Sequence, residues 1–199
     1  MTRLSSIDLY TKELLQLFKS RGLRMSMDEI AQRLDITKKT LYNNFSSRNE
    51  MIKFVTKYFF DTLESKISES SKLNANAIEQ MINISKTICR ECDKLGEVLM
   101  DDLVREKPDL FLHSHRTSFY YRLLKENLYK GIEEGLYRKD LDFDYVIVFY
   151  TSVLDAFYRR ENWARFFKNT SEFHLQLVKH YLYAIVSTES RHLLDSYHF

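Results

Sequence analysis

Apolar residues in the first third of the chain recur at spacings of three and four. Ile7, Tyr10, Leu14 and Phe18 form one stripe, which predicts a helix over about Ser6–Arg21. Gly22 follows as a left-handed C′ residue, with Leu23 placed for the hydrophobic contact of a Schellman-type stop. Ser26-Met27-Asp28-Glu29 fits the S-x-x-E capping box and opens a second helix whose inner face is Ile30, Ala31 and Leu34. Thr37 can cap a third helix with Leu41 and Phe45 inward. Only Asp35 and Ile36 separate the second and third patterns, so the chain must turn a sharp corner, as in a helix-turn-helix. A second S-x-x-E box, Ser47 to Glu50, starts a fourth helix that carries Met51, Ile52, Val55 and Phe59 to about Ser70.

The polar stretch "SESSKLNANA" around residues 68–77 reads as a boundary, dividing the chain into 1–70 and 71–199. Helical patterns continue beyond it, over about Ala77–Lys94 and Gly96–Arg105. Pro108 suits the first turn of a long helix to about Glu134. Asp142 can cap a helix over about Phe143–Arg160, and a last helix spans about Ser171–Glu189. Four glycines and one proline in 199 residues are too few for a turn-rich β fold. The expected fold is all-α: an N-terminal three-helix helix-turn-helix domain, then a larger C-terminal helical bundle, about nine helices in all.

Composition narrows the class. Hydrophobic residues make up 44% and charged residues 29%, a globular balance, and the 27 tyrosines and phenylalanines predict a partly aromatic interior. No window approaches 18 consecutive apolar residues, and no leader-like apolar core opens the chain, so a cytoplasmic protein without a membrane partner is expected. Residues 1–60 hold 11 Lys/Arg against 6 Asp/Glu, and residues 61–199 hold 19 against 22. The positive part contains the helix corner, which is the sign expected of a surface that meets phosphates.

On the third helix the outward residues are Thr37, Lys38, Lys39, Thr40, Tyr42 and Asn43. Lysine can donate to guanine or phosphate, asparagine can pair with adenine, and a threonine methyl can meet thymine. Tyr42 can reach a phosphate oxygen. The start of the fourth helix, with Arg48 beside it, offers backbone N–H groups and a partial positive charge to another phosphate. By itself "TKKTLYNN" could be a solvated helical face. Two capping boxes, a two-residue corner and a basic third helix together are far more specific.

These residues resemble the DNA-binding domain of the TetR (tetracycline-repressor) family over about Leu17 to Val55. The matching positions are Gly22, Ser26, Ile30-Ala31, "TLYNNF" and Ser47-Arg48-Asn49-Glu50-Met51. Asp35 stands where the family favours glycine, Asn44 replaces a usual histidine and Arg48 a usual lysine. The resemblance implies that Thr37 to Asn43 form a recognition helix, with Tyr42, Asn44 and Arg48 at phosphates and Ser26 also among the DNA-binding residues. It implies a homodimer on a palindromic double-stranded operator, and a C-terminal domain that binds a small-molecule effector and dimerises through its last two long helices. Interface candidates are Ile147, Tyr150, Val153, Leu154, Leu177 and Tyr181. Pocket candidates are Met81, Ile84, Ile88, Leu103, Phe119, Leu123 and Phe157, and their character suits an apolar or aromatic effector. The function expected is a ligand-responsive repressor, with no enzyme activity and no cofactor.

Other signals weigh less. Cys89-x-x-Cys92 lacks the further ligands of a metal site and the βαβ setting of thioredoxin chemistry. His113 and His115 are two apart and do not face each other on a helix. The alternative classes are a helical-bundle enzyme holding a metal at Asp101/Asp102 or Glu189/His192, and a regulator gated by a protein partner.

Overall fold

The computed structural model describes residues 6–71, 75–106, 116–158 and 170–197. They form α1 (Ser6–Arg21), α2 (Met27–Arg33), α3 (Lys38–Asn44), α4 (Arg48–Ser71), α5 (Ala77–Asp93), α6 (Glu97–Glu106), α7 (Arg116–Glu133), α8 (Phe143–Tyr158) and α9 (Thr170–Ile185), followed by a 3-10 turn at Arg191–Ser196. Among the described residues there is no strand, only a single antiparallel bridge between Tyr137 and Val186. The fold is all-α, as expected. Pro108, His113 and His115 lie outside the described residues.

The chain divides into two compact units, residues 1–63 with 95–111, and residues 64–94 with 112–199. The polar break after Ser71 does end a helix, but the division by packing falls inside α4. It also places α6 in the first unit, whereas the sequence pattern had grouped it with the C-terminal domain.

In the first unit, Leu14, Phe18, Leu23, Ile30, Leu41, Phe45, Met51 and Ile52 are almost wholly buried. The short helices α2 and α3, seven residues each, are held by local chemistry rather than length, since helices this short are unstable alone. Gly22 takes φ 74° to end α1, and its N–H donates to the Phe18 carbonyl at 2.8 Å. The Ser26 box forms in both directions: Glu29 N–H donates to Ser26 Oγ at 3.2 Å, and Ser26 N–H donates to Glu29 Oε2 at 2.7 Å. At α4, Glu50 N–H donates to Ser47 Oγ as predicted, at 3.2 Å. The return half differs, because the Glu50 carboxylate accepts from the N–H of Ser46, one residue further back, at 2.6 Å.

The second unit is built round Ile78, Met81 and Ile82 of α5, Leu124 and Leu128 of α7, Ile147 and Tyr150 of α8, and Val178, Tyr181, Leu182 and Ile185 of α9. Asn76 caps α5, Asp142 caps α8 through the Tyr145 N–H at 3.0 Å, and Gly135 (φ 71°) ends α7. A buried chain of polar groups fixes the α7–α8 connection. Tyr137 donates its hydroxyl to Asn127 Oδ1 at 2.9 Å, and Asn127 Nδ2 donates to the Ala77 carbonyl at 2.9 Å.

Candidate nucleic-acid interface

The corner between α2 and α3 is a Schellman stop with aspartate in the left-handed position. Asp35 has φ 52°, Ile36 N–H donates to the Ala31 carbonyl at 3.0 Å and Asp35 N–H to the Gln32 carbonyl at 3.3 Å. Aspartate visits this region at less cost than most residues with a Cβ. Thr37 then caps α3: its Oγ1 accepts the Thr40 N–H at 3.0 Å and lies 2.8 Å from the Thr40 hydroxyl.

Leu41 is wholly buried, which sets the rotation of α3. At about 100° per residue, Lys38, Lys39, Tyr42 and Asn43 are turned outward, and all four are exposed. Thr40 and Asn44 are half-buried at the rim. The two lysines are held differently. Lys38 Nζ lies 2.6 Å from Asp28 Oδ1 of α2, and donating that bond to the carboxylate holds the ammonium above its ordinary range. Lys39 has no ion pair or hydrogen bond among the described residues.

Three of the DNA-binding candidates are also engaged within the unit. Arg48 Nε donates to the Met25 carbonyl at 2.9 Å, which stretches the guanidinium across the loop before α2 and leaves its other N–H groups available. Asn44 Nδ2 donates to the Thr40 carbonyl of its own helix at 2.8 Å. Ser26 Oγ lies 2.8 Å from Glu29 Oε2, and the serine N–H and hydroxyl keep that carboxyl below its usual range. Tyr42 is 45% exposed, so its hydroxyl can reach outward. Nothing in the sequence pattern announced the Asp28 and Met25 contacts, because their partners are ten and twenty-three residues away.

The pocket candidates are divided. Met81, Ile84, Ile88 and Leu123 are buried in the second unit and Phe119 is half-buried there. Leu103 is buried in the first unit, and the side chain of Phe157 lies outside the described residues. A shallow groove on the second unit is lined instead by Lys86, Cys89, Arg90, Asp93, Lys94, Ser171 and Leu175. The interface candidates are divided too. Ile147, Tyr150 and Tyr181 are turned into their own core, and Val153, Leu154 and Leu177 are half-buried. Among the described residues of α8, the large apolar side chains left exposed are Tyr145, Val148 and Phe149, at 71%, 57% and 62%.

Cys89 and Cys92 are both buried thiols, and no disulfide joins them. Burial pushes the Cys89 thiol up, and its Sγ donates to the Ser171 carbonyl at 3.6 Å. His192 Nδ1 lies 2.9 Å from the Glu189 backbone carbonyl. Asp102 is buried and accepts the Leu23 N–H at 2.6 Å. Among the described residues no three His, Cys, Asp or Glu side chains gather as a metal site would need.

Residues 12–55 match the family model for bacterial regulatory proteins of the tetR family. Over 163 residues the chain is 28% identical to the HTH-type transcriptional repressor KstR2 of Mycobacterium tuberculosis, covering 77% of this chain and 80% of that one. The solved structure of that ketosteroid regulator overlays 93% of this chain and 97% of its own, with 22% identity and a TM-score of 0.60. The fatty acid degradation regulator FadR of Bacillus halodurans overlays 92% and 95%, with 18% identity and a TM-score of 0.66. A transcriptional regulator of Cytophaga hutchinsonii overlays 92% and 100%, with 15% identity and a TM-score of 0.72.

Proposed function

We propose, for a chain that belongs to the TetR family of DNA-binding transcriptional regulators, that it is a ligand-responsive repressor acting in the cytoplasm as a homodimer on a palindromic operator. The observation that carries this reading is the outward face of α3. Its cap, its buried Leu41 and the left-handed Asp35 fix the helix, while Lys39, Tyr42 and Asn43 stand exposed. Inserted in a major groove, such a face reads base edges, and Tyr42 and Arg48 hold the flanking phosphates. No catalytic step is assigned to the chain.

Two further parts of the reading rest on the second unit. Dimerisation is assigned to the outward face of α8, where Tyr145, Val148 and Phe149 leave a row of apolar surface uncovered. The effector is assigned to the interior beside Met81, Ile84, Ile88 and Leu123. The relatives named for ketosteroid and fatty acid regulation support an apolar molecule. Among the described residues the Tyr181 hydroxyl is buried without a hydrogen-bond partner, which supports an effector that also carries an oxygen. Such a ligand would favour a dimer whose recognition helices are wrongly spaced for successive major grooves.

The test is a footprint and binding titration on the DNA flanking the gene for this protein. A protected palindrome, bound with steep salt dependence by a dimer, is expected. The absence of any protected segment, with affinity equal to that for unrelated duplex, would refute the reading.

A further inference from the structure

The chain passes between its two compact units at three places: inside α4 between residues 63 and 64, between 94 and 95, and between 111 and 112. Two of the three bracket α6. This helix therefore carries most of the covalent path between the effector unit and the DNA-reading unit, yet it packs in the latter, against α1. Besides the apolar packing of Leu99 and Leu103, a buried carboxylate fastens it there. Asp102 Oδ2 accepts the backbone N–H of Leu23 at 2.6 Å, at the point where α1 has ended and the chain turns toward α2. The fit depends on Gly22: a Cβ there would lie 2.3 Å from Asp102 Oδ2 and 3.1 Å from Val98 Cγ1. Leu99 and Leu103 of α6 and Leu23 itself are almost wholly buried, so water does not compete for the bond.

We infer that Asp102 is a positioning residue for operator binding, a latch that ties α6 to the end of α1 and so holds the reading helix in register with the rest of the protomer. The inference rests on the dimer reading above. A dimer gains from its second half-site only if the second reading helix is held near it, since the second contact is intramolecular and its strength follows the effective concentration. With the latch broken, α3 keeps its own cap and core and still reads one half-site. What falls is the gain from the second.

Two DNAs and three proteins decide it. The DNAs are the segment protected upstream of the protein's own gene and the same segment with one half-site scrambled. The proteins are the wild type, Asp102→Ala and Asp102→Asn, each confirmed as folded by circular dichroism at the assay temperature. Asp102→Ala is expected to lose about tenfold of the affinity for the intact palindrome and little for the half-site. Asp102→Asn, which keeps an oxygen acceptor for Leu23, should recover most of it. Loss of a carboxylate from a DNA-binding unit would on charge alone raise affinity for both DNAs, so the direction itself is diagnostic. Equal losses on both DNAs, or no loss on either, overturn the inference. Should Asp102→Ala fail to fold, the same comparison is read from Asp102→Asn, with about threefold expected on the palindrome only and an equal or absent change overturning the inference. A wild type that gains nothing from its second half-site removes the dimer reading, and this inference with it.

Discussion

Lys38 and Lys39 are neighbours in sequence and differ in what holds them. Lys38 is tied to Asp28, both side chains being largely exposed, while Lys39 stands clear. A phosphate or base approaching Lys38 must displace a carboxylate that also repels DNA. Lys39→Ala is therefore expected to cost more operator affinity than Lys38→Ala, and to flatten the salt dependence by about one unit of slope. Asp28→Ala should tighten binding, since it both frees Lys38 and removes a repulsive charge. Anisotropy titrations at several salt concentrations measure all three; a larger loss for Lys38→Ala would show that the Asp28 pair gives way on DNA. Tyr42→Phe should weaken binding evenly across operator variants, whereas Asn43→Ala should alter base preference at one position, worth about 1–3 kcal/mol there. At this scale the caps at Ser26, Thr37 and Asp142 were legible, because each acts on an N–H group three residues on, whereas Asn76, which caps α5 in the same way, was hidden in a polar stretch. The bonds from Lys38 to Asp28, Arg48 to Met25 and Leu23 to Asp102 were not, because no period links residues that meet only after the chain has folded.

At the scale of elements, α8 shows where periodicity stops being informative. The helix is apolar round most of its circumference, so the pattern marks it as special without saying which face turns inward. The pattern offers Ile147 and Tyr150 as interface residues and both lie in the core, whereas Tyr145, Val148 and Phe149, one step round the helix, are exposed. Exposed Ser152 and Ala156 extend that outer row. A charge on this row is expected to separate the dimer and leave the protomer folded: Phe149→Glu should sediment as a monomer with nearly unchanged helicity. Ile147→Glu should instead unfold the second unit, because a buried unpaired carboxylate is among the costliest single changes. A dimeric Phe149→Glu would move the interface elsewhere. The end of α4 was legible from its polar composition. The division of packing inside α4 was not, since nothing local interrupts a helix that serves two cores.

The whole molecule joins a basic first third to a net acidic remainder: the sparse glycine and proline pointed to an all-α fold, while the charge excess had only the sign of a surface that meets phosphates. Burial has consequences that composition hides. His174 on α9 lies inside the second unit at 3% exposure, and desolvation lowers its pKa from 6.5 to about 4. Above pH 6.5 the imidazole is neutral in both the folded and the unfolded chain and contributes no pH dependence. As the pH falls below 6.5 the unfolded chain takes up a proton that the folded one refuses, so stability declines through this window until the native imidazole titrates near pH 4. The full loss is about 3 kcal/mol. Carboxylates held below their usual range act lower down. Glu29 and Glu50 of the first unit and Glu91 of the second, the last paired with Lys66 and Lys94 at 2.5 and 2.7 Å, contribute stability that fades only as the pH drops below the ordinary value of 4.5. The two windows separate the units: the second should weaken first on acidification, while the DNA-reading unit holds. Urea unfolding followed by circular dichroism at pH 7.5, 6 and 5 should show a midpoint that falls with pH, and His174→Phe should flatten that fall at an overall cost set by packing. An equally steep fall in His174→Phe would assign the acid sensitivity to other groups and remove the buried imidazole as its cause.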